Sequence, residues 1–135
     1  ISSSEQTHTN AVLTLLTKYS LPDPVGNNAV GVFTDTTLQQ LYTQLVAQGS
    51  KSLLDGFKVG ATIEDLDIYD LQSAMPKVDN QDITFVYNNL TKGSRNHLRS
   101  FYQQVVSSGG TYSAQFITQS DFDAIVNSDK ETGSW

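Results

Sequence analysis

Metal-ligating side chains interrupt three stretches of this sequence whose helical spacing would otherwise produce an apolar face. A helix repeats its face every three to four residues, so these side chains replace core residues instead of lying opposite them. The interrupting residues are Glu5 and His8 in the first stretch, Glu64 and Asp67 in the second, and His97 in the third. Burying a lone carboxylate costs several kcal/mol unless it is paired or neutralised. We therefore expect a shared positive charge, most simply a metal ion, to compensate the buried polar groups of all three faces.

The same spacing predicts an all-α chain, because no alternation of apolar and polar residues persists for the length of a strand. Capping residues, prolines and glycines mark where the helices begin and end. The predicted helices are Ser2–Tyr19, one that follows a cap at Thr34 or Asp35 and runs to about Gln48, Leu53–Met75, Asp82–Ser107 and Gln119–Val126. Two of them are long enough for a helix bundle. Gly56 and Gly60, inside the third helix, predict close contact with a neighbouring helix.

The domain organisation predicted from this pattern is one helical domain over residues 1–127, followed by a polar tail over residues 128–135. We expect the tail to be frayed, because terminal polar residues are seldom held in place.

Arg95 and Arg99 are expected to pair with acidic side chains on the surface.

Composition excludes several classes of protein. The net charge of −6 lacks the basic footprint of a nucleic-acid-binding protein, and no apolar run approaches the roughly 20 residues of a membrane-spanning helix. The absence of cysteine excludes thiolate zinc sites, iron–sulfur clusters and disulfides. Only 16% of residues are charged while Ser, Thr, Asn and Gln are abundant, which favours an extracytoplasmic or secreted protein.

The spacing Glu-x-x-His at Glu5 and His8 places a carboxylate and an imidazole on one helix face. In carboxylate-bridged di-iron and di-manganese bundles such a carboxylate bridges two metals while the imidazole binds one of them. An alternative stays open for each residue. Glu5 could serve the helix dipole, the histidines could have backbone partners, and the acidic residues of the third helix could form a solvated face. Those acidic residues are Glu64, Asp65, Asp67 and Asp70.

Several motifs together resemble a prokaryotic ferritin-like family of unknown function, DUF2202. They are Ser4-Glu5-Gln6-Thr7-His8, Tyr19-Ser20-Leu21-Pro22-Asp23-Pro24, Gly31-Val32-Phe33-Thr34, Ile63-Glu64-Asp65-Leu66-Asp67-Ile68 and Gly93-Ser94-Arg95-Asn96-His97-Leu98-Arg99. The resemblance covers residues 1 to about 126 and implies a ferritin-like four-helix bundle. By position it also implies metal ligands at Glu5, His8, Glu64 and His97.

The chain departs from the resemblance in two ways. Members of the family normally carry one more helix, with a glutamate ligand, before the position of Ile1. The wider ferritin-like pattern has a glutamate where this chain has Ser94, three residues before His97, and we expect Asp67 to substitute. Without the first helix the bundle would expose an apolar groove. We expect the groove to be filled by that helix in the native protein, or by a second copy or partner chain.

Two functions follow as hypotheses. Hard oxygen donors with imidazole suit iron or manganese, so the chain would hold a dinuclear centre and act as an oxidoreductase of the ferroxidase or peroxide-consuming kind. The alternative is a structural or cell-surface interaction module that has lost the dimetal chemistry and docks a partner in the groove.

Overall fold

The structure, a computed structural model, describes residues 1–133 and is all-α within them. The helices in this range are α1 (Ser2–Lys18), α2 (Thr36–Gly49), α3 (Leu53–Ala74), α4 (Gln81–Ser107) and α5 (Gln119–Val126), with a single 3-10 turn at Met75–Lys77 after α3. The all-α prediction is confirmed, and the predicted helix bounds agree closely with these. Within residues 1–133, no helix has both the length and the apolar character needed to cross a membrane.

Side-chain caps explain why three of the helices begin where they do. The side chain of Asp35 accepts a hydrogen bond from the first turn of α2, Ser52 does so for α3 and Thr118 for α5. Each cap satisfies a backbone N–H that the helix itself cannot pair. At the start of α4, Asp82 accepts from the backbone N–H of Ile83 and also from Lys18 and from the Tyr19 hydroxyl at 2.8 Å. The last two contacts join the start of α4 to the end of α1.

The core of the molecule lies around α3 and α4, which share the most extensive contact between helices. The α2 helix packs on α3, while α1 and α5 pack on α4. The buried apolar side chains of the core come from α3, α4, α5 and the segment before α5, and are Ala61, Ile68, Leu98, Ile117, Phe122 and Ile125. This arrangement makes α4 the element against which α1 and α3 present their polar interruptions.

Gly60 allows the ring of Phe101 to pack directly on α3, which confirms the close helix contact predicted from this glycine. A Cβ at Gly60 would lie 2.4 to 2.6 Å from three ring carbons of Phe101. We therefore expect Gly60→Ala to lower the free energy of unfolding by about 1–3 kcal/mol, the usual cost of overpacking. Gly56→Ala is the matched control, because its Cβ would meet only the Gly49 carbonyl oxygen at 3.5 Å. Equal stability of the two variants in chemical denaturation would contradict the expectation.

The segment after α5 is held against α4 as far as residue 133. Arg95 donates to the Glu131 carboxylate at 2.5 and 2.7 Å, and Arg99 donates to it at 3.1 Å. Asn96 exchanges two hydrogen bonds with the Glu131 backbone. The predicted surface pairing of both arginines is confirmed, whereas the expected fraying is wrong for residues 128–133. Residues 134–135 lie outside the described residues.

The α1 helix and the loop that follows it expose several apolar side chains, which we call the α1 apolar face. Its members are Val12, Leu13, Leu21, Val25, Val30 and Val32, all at least one third exposed. A cavity of about 330 Å³ lies within this face. An apolar groove is what the sequence predicts beside α1, although the origin of any helix that covers it stays a prediction.

Candidate metal centre

Three predicted ligands from three different helices converge in the structure. Glu5 on α1, Glu64 on α3 and His97 on α4 each offer one ligand atom, and these atoms all lie within 4.8 Å of one another. Glu64 is 4% exposed and His97 is 8% exposed, while the side chain of Glu5 is 45% exposed. The cluster is therefore closed toward the core and open on the side of α1.

The polar atoms of this cluster are close together but poorly satisfied. His97 Nδ1 lies 2.8 Å from Glu5 Oε1 and 3.2 Å from Glu64 Oε1, yet neither approach has the geometry of a hydrogen bond. Glu64 Oε2 is buried and has no hydrogen-bond partner within residues 1–133. Buried polar atoms are nearly always bonded, and an exception needs a physical explanation. A cation at the convergence point would supply one.

His8 joins the cluster through the second oxygen of Glu5. Its Nδ1 lies 3.1 Å from Glu5 Oε2, and its ring centroid is 5.8 Å from that of His97. Its other ring nitrogen, Nε2, lies 3.4 Å from the Ser4 hydroxyl. A proton on Nε2 with Ser4 as its acceptor would leave Nδ1 as the nitrogen available to a metal. The two carboxylate oxygens of Glu5 thus face two different histidines, as a bridging carboxylate requires.

Electrostatics within the cluster favour charge on both kinds of group. The nearby Glu5 carboxylate, and after it that of Glu64, raises the pKa of His97 to about 9. His97 in turn is the main cause of a lowered pKa at Glu5. In the metal-free protein at neutral pH, a proton on His97 is therefore the positive charge between the two carboxylates. Protonated His97 still leaves Glu64 Oε2 without a hydrogen bond. A metal ion that binds at His97 would have to displace this proton.

Asp67 faces inward as predicted but lies apart from the converging ligands. It lines a cavity of about 400 Å³ together with Glu5, His8 and the buried Ser94. Burial, and after it the charges of Glu64 and Glu5, raise the pKa of Asp67 to about 7. Among the described residues, the three-ligand group does not include it. Asp67 is therefore beside the cluster, at a point where its charge is unfavourable in the metal-free protein.

Asp65 has a structural role that the sequence did not predict. It is fully buried and accepts hydrogen bonds from the Tyr112 hydroxyl at 2.7 Å and from the backbone N–H groups of Gln115, Phe116 and Ile117 at 2.6 to 3.2 Å. The solvated-face alternative is thus wrong for Asp65, as it is for the buried Glu64. The only sequence signal was a second acidic residue directly beside Glu64, which does not reveal a partner some fifty positions away.

Comparison with known proteins gives a family and a related crystal structure. The family model described as an uncharacterized protein domain, DUF2202, matches residues 1–129. The chain is 50% identical over 133 residues to the uncharacterized protein MJ0754 of Methanocaldococcus jannaschii. This match covers 98% of the present chain and 72% of MJ0754. The crystal structure of hypothetical protein MJ0754 from Methanococcus jannaschii DSM 2661 is similar with a TM-score of 0.94 at 50% identity, over 97% of this chain and 75% of that one.

Proposed function

The chain belongs to the DUF2202 family, and we propose that it is a ferritin-like metal protein with a dinuclear iron or manganese centre in a four-helix bundle. The observation that carries the proposal is the convergence of Glu5, Glu64 and His97 from three helices within 4.8 Å. The unbonded, buried Oε2 of Glu64 supports it independently. Burying a carboxylate atom without a partner is costly, and a cation bound there would remove the cost.

The donor set fits the proposed metals. Carboxylate oxygens combined with imidazole nitrogens suit iron and manganese better than metals that favour thiolates. Glu5, Glu64 and His97 would hold one ion, while Glu5 and His8 would hold the other. Asp67, in the adjacent cavity, is the remaining candidate ligand for the second ion.

The proposed chemistry follows from the ions and from what this chain places around them. When bound, iron or manganese would supply one-electron redox chemistry toward dioxygen or peroxide, so the proposed activity is ferroxidase-like or peroxide-consuming. Glu64 and His97 keep the inner side of the centre closed to water. In the metal-free protein the pKa of the Asp67 carboxyl is about 7, so a cation that binds beside it would release its proton at neutral pH.

The proposed bundle takes three of its helices from α1, α3 and α4, which carry the ligands. Its fourth helix would pack on the α1 apolar face, either as part of a longer form of this protein or from a second copy. The exposure of that face's apolar side chains supports this proposal, since exposed apolar patches often mark surfaces where another chain segment binds.

Metal analysis tests the proposal most directly. Protein purified without chelator or added metal is expected to carry about two equivalents of iron or manganese per chain, measured by elemental analysis. The Glu5→Ala, His97→Ala double variant should carry none, because both positions lose a ligand. Asp121→Asn, an exposed acidic change on α5, is the matched control and should keep both equivalents.

Each result of the metal analysis has a distinct meaning. One equivalent would restrict the centre to the position formed by Glu5, Glu64 and His97. A chain that holds no metal and takes up none on reconstitution contradicts the proposal. That outcome would favour a second candidate, an interaction module, for which the α1 apolar face is the supporting observation.

A further inference from the structure

Gly93 leaves a gap in α4 that the ring of His8 fills. A glycine in the interior of a helix weakens it, because the backbone loses more conformational freedom on folding than it would with alanine. Gly93 lies well inside α4, of which it is the thirteenth residue. A Cβ at this position would lie 2.6 Å from Cε1 and 2.7 Å from Nε2 of His8. Real Cβ atoms do not approach other atoms so closely, so any larger residue would displace the ring.

The contact with Gly93 fixes the orientation of His8 together with two other contacts. The edge of the ring that holds Cε1 and Nε2 rests on α4 at Gly93, and Nε2 also lies beside the Ser4 hydroxyl. The remaining ring nitrogen, Nδ1, is left 3.1 Å from Glu5 Oε2. The His8 side chain is 11% exposed. It is therefore held between α4 on one side and the carboxylate of its own helix on the other.

We propose that Gly93 is a positioning residue for the second metal position, because the gap it leaves in α4 seats His8 with Nδ1 directed at the shared carboxylate of Glu5. This inference rests on the proposed metal function. The three atoms nearest to a Cβ at Gly93 all belong to His8. Gly93 acts through His8, so its substitution should affect one of the two positions and spare the other.

A double-mutant cycle on the metal-free protein tests the seating of His8 without reference to metal. Gly93→Ala is expected to lower the Tm of the wild-type chain by several degrees, because the new methyl collides with the ring. In a His8→Ala background the same change should leave the Tm unchanged or raise it, since alanine favours a helix. Gly56→Ala, a glycine in α3 with room for a methyl, is the control. Additive effects of Gly93→Ala and His8→Ala would overturn the inference.

Manganese titration of the same variants tests the link to the centre. Gly93→Ala and His8→Ala should each keep the first equivalent and weaken the second by about 10- to 100-fold, the usual effect of losing a residue that orients a ligand. Gly56→Ala should keep both. Wild-type affinity for both ions in Gly93→Ala, or loss of both from the folded variant, would overturn the inference. A wild-type chain that binds neither manganese nor iron(II) would instead refute the proposed metal function, while the thermal cycle still reports whether Gly93 seats His8.

Discussion

Asp65→Ala is expected to lower the free energy of unfolding by about 3–5 kcal/mol, which is among the larger effects that a single substitution produces. The wild-type carboxylate is fully buried and accepts from one hydroxyl and three backbone N–H groups. Its removal leaves those donors buried without a partner, and each unsatisfied donor costs about 1–3 kcal/mol. Partial relaxation of the segment keeps the total below the sum of the separate costs.

Chemical denaturation of matched variants measures this effect. Asp70→Ala changes an exposed aspartate on the same helix and should alter stability by no more than about 0.5 kcal/mol. Tyr112→Phe removes only the hydroxyl donor and should cost an intermediate amount, about 1–2 kcal/mol. If Asp65→Ala were no more harmful than Asp70→Ala, the backbone bonds to Asp65 could not be anchoring the segment before α5.

The anchor at Asp65 also bears on the candidate metal centre. Successive residues on a helix point about 100° apart, so Asp65 and Glu64 face different neighbours. Asp65 binds the segment that contains Gln115–Ile117, whereas Glu64 points to α1 and α4. Four hydrogen bonds on one side of α3 therefore fix the rotation of the helix. That rotation holds the Glu64 carboxylate toward His97.

The sequence predicts the helices well because their limits depend on local chemistry. Ser52 and Asp35 cap the helices that follow them, and proline ends a helix without reference to the rest of the fold. The inward face of each helix can also be predicted from local sequence, since helical periodicity alone places Glu64 and His97 among core residues. The convergence of these faces required only that three such helices pack together.

Contacts between distant parts of the chain could not be predicted in the same way. The segment before α5 has no periodic pattern, so nothing in the sequence indicates that its backbone N–H groups meet Asp65. The seating of His8 on Gly93 joins residues on α1 and α4 through a shape that only the packed helices create. Periodicity also fixes the face on which Asp67 lies but not its distance from the other ligands, and the structure places it in the adjacent cavity.

Asp67→Asn is expected to stabilise the metal-free protein at pH 8 by about 2–4 kcal/mol and to leave it unchanged at pH 4. Burial first, and then the charges of Glu64 and Glu5, raise the pKa of this carboxyl from 3.8 to about 7. Between these values the native state binds more protons than the unfolded state, so stability falls as the pH rises. By about pH 8 the loss is nearly complete and amounts to about 4 kcal/mol. Asparagine carries no charge and escapes the loss.

Denaturation curves at several pH values would measure this difference between Asp67→Asn and the wild-type chain. Asp121→Asn, an exposed change on α5 at a residue that does not contribute to the pKa shift of Asp67, is the control and should shift stability by no more than about 0.5 kcal/mol. A gain at pH 4 as large as that at pH 8 would show that packing, and not ionisation, is the cause. If the proposed metal function is correct, bound manganese should reduce the advantage of asparagine at pH 8. A cation beside Asp67 favours the ionised carboxyl and so cancels the repulsion from Glu64 and Glu5.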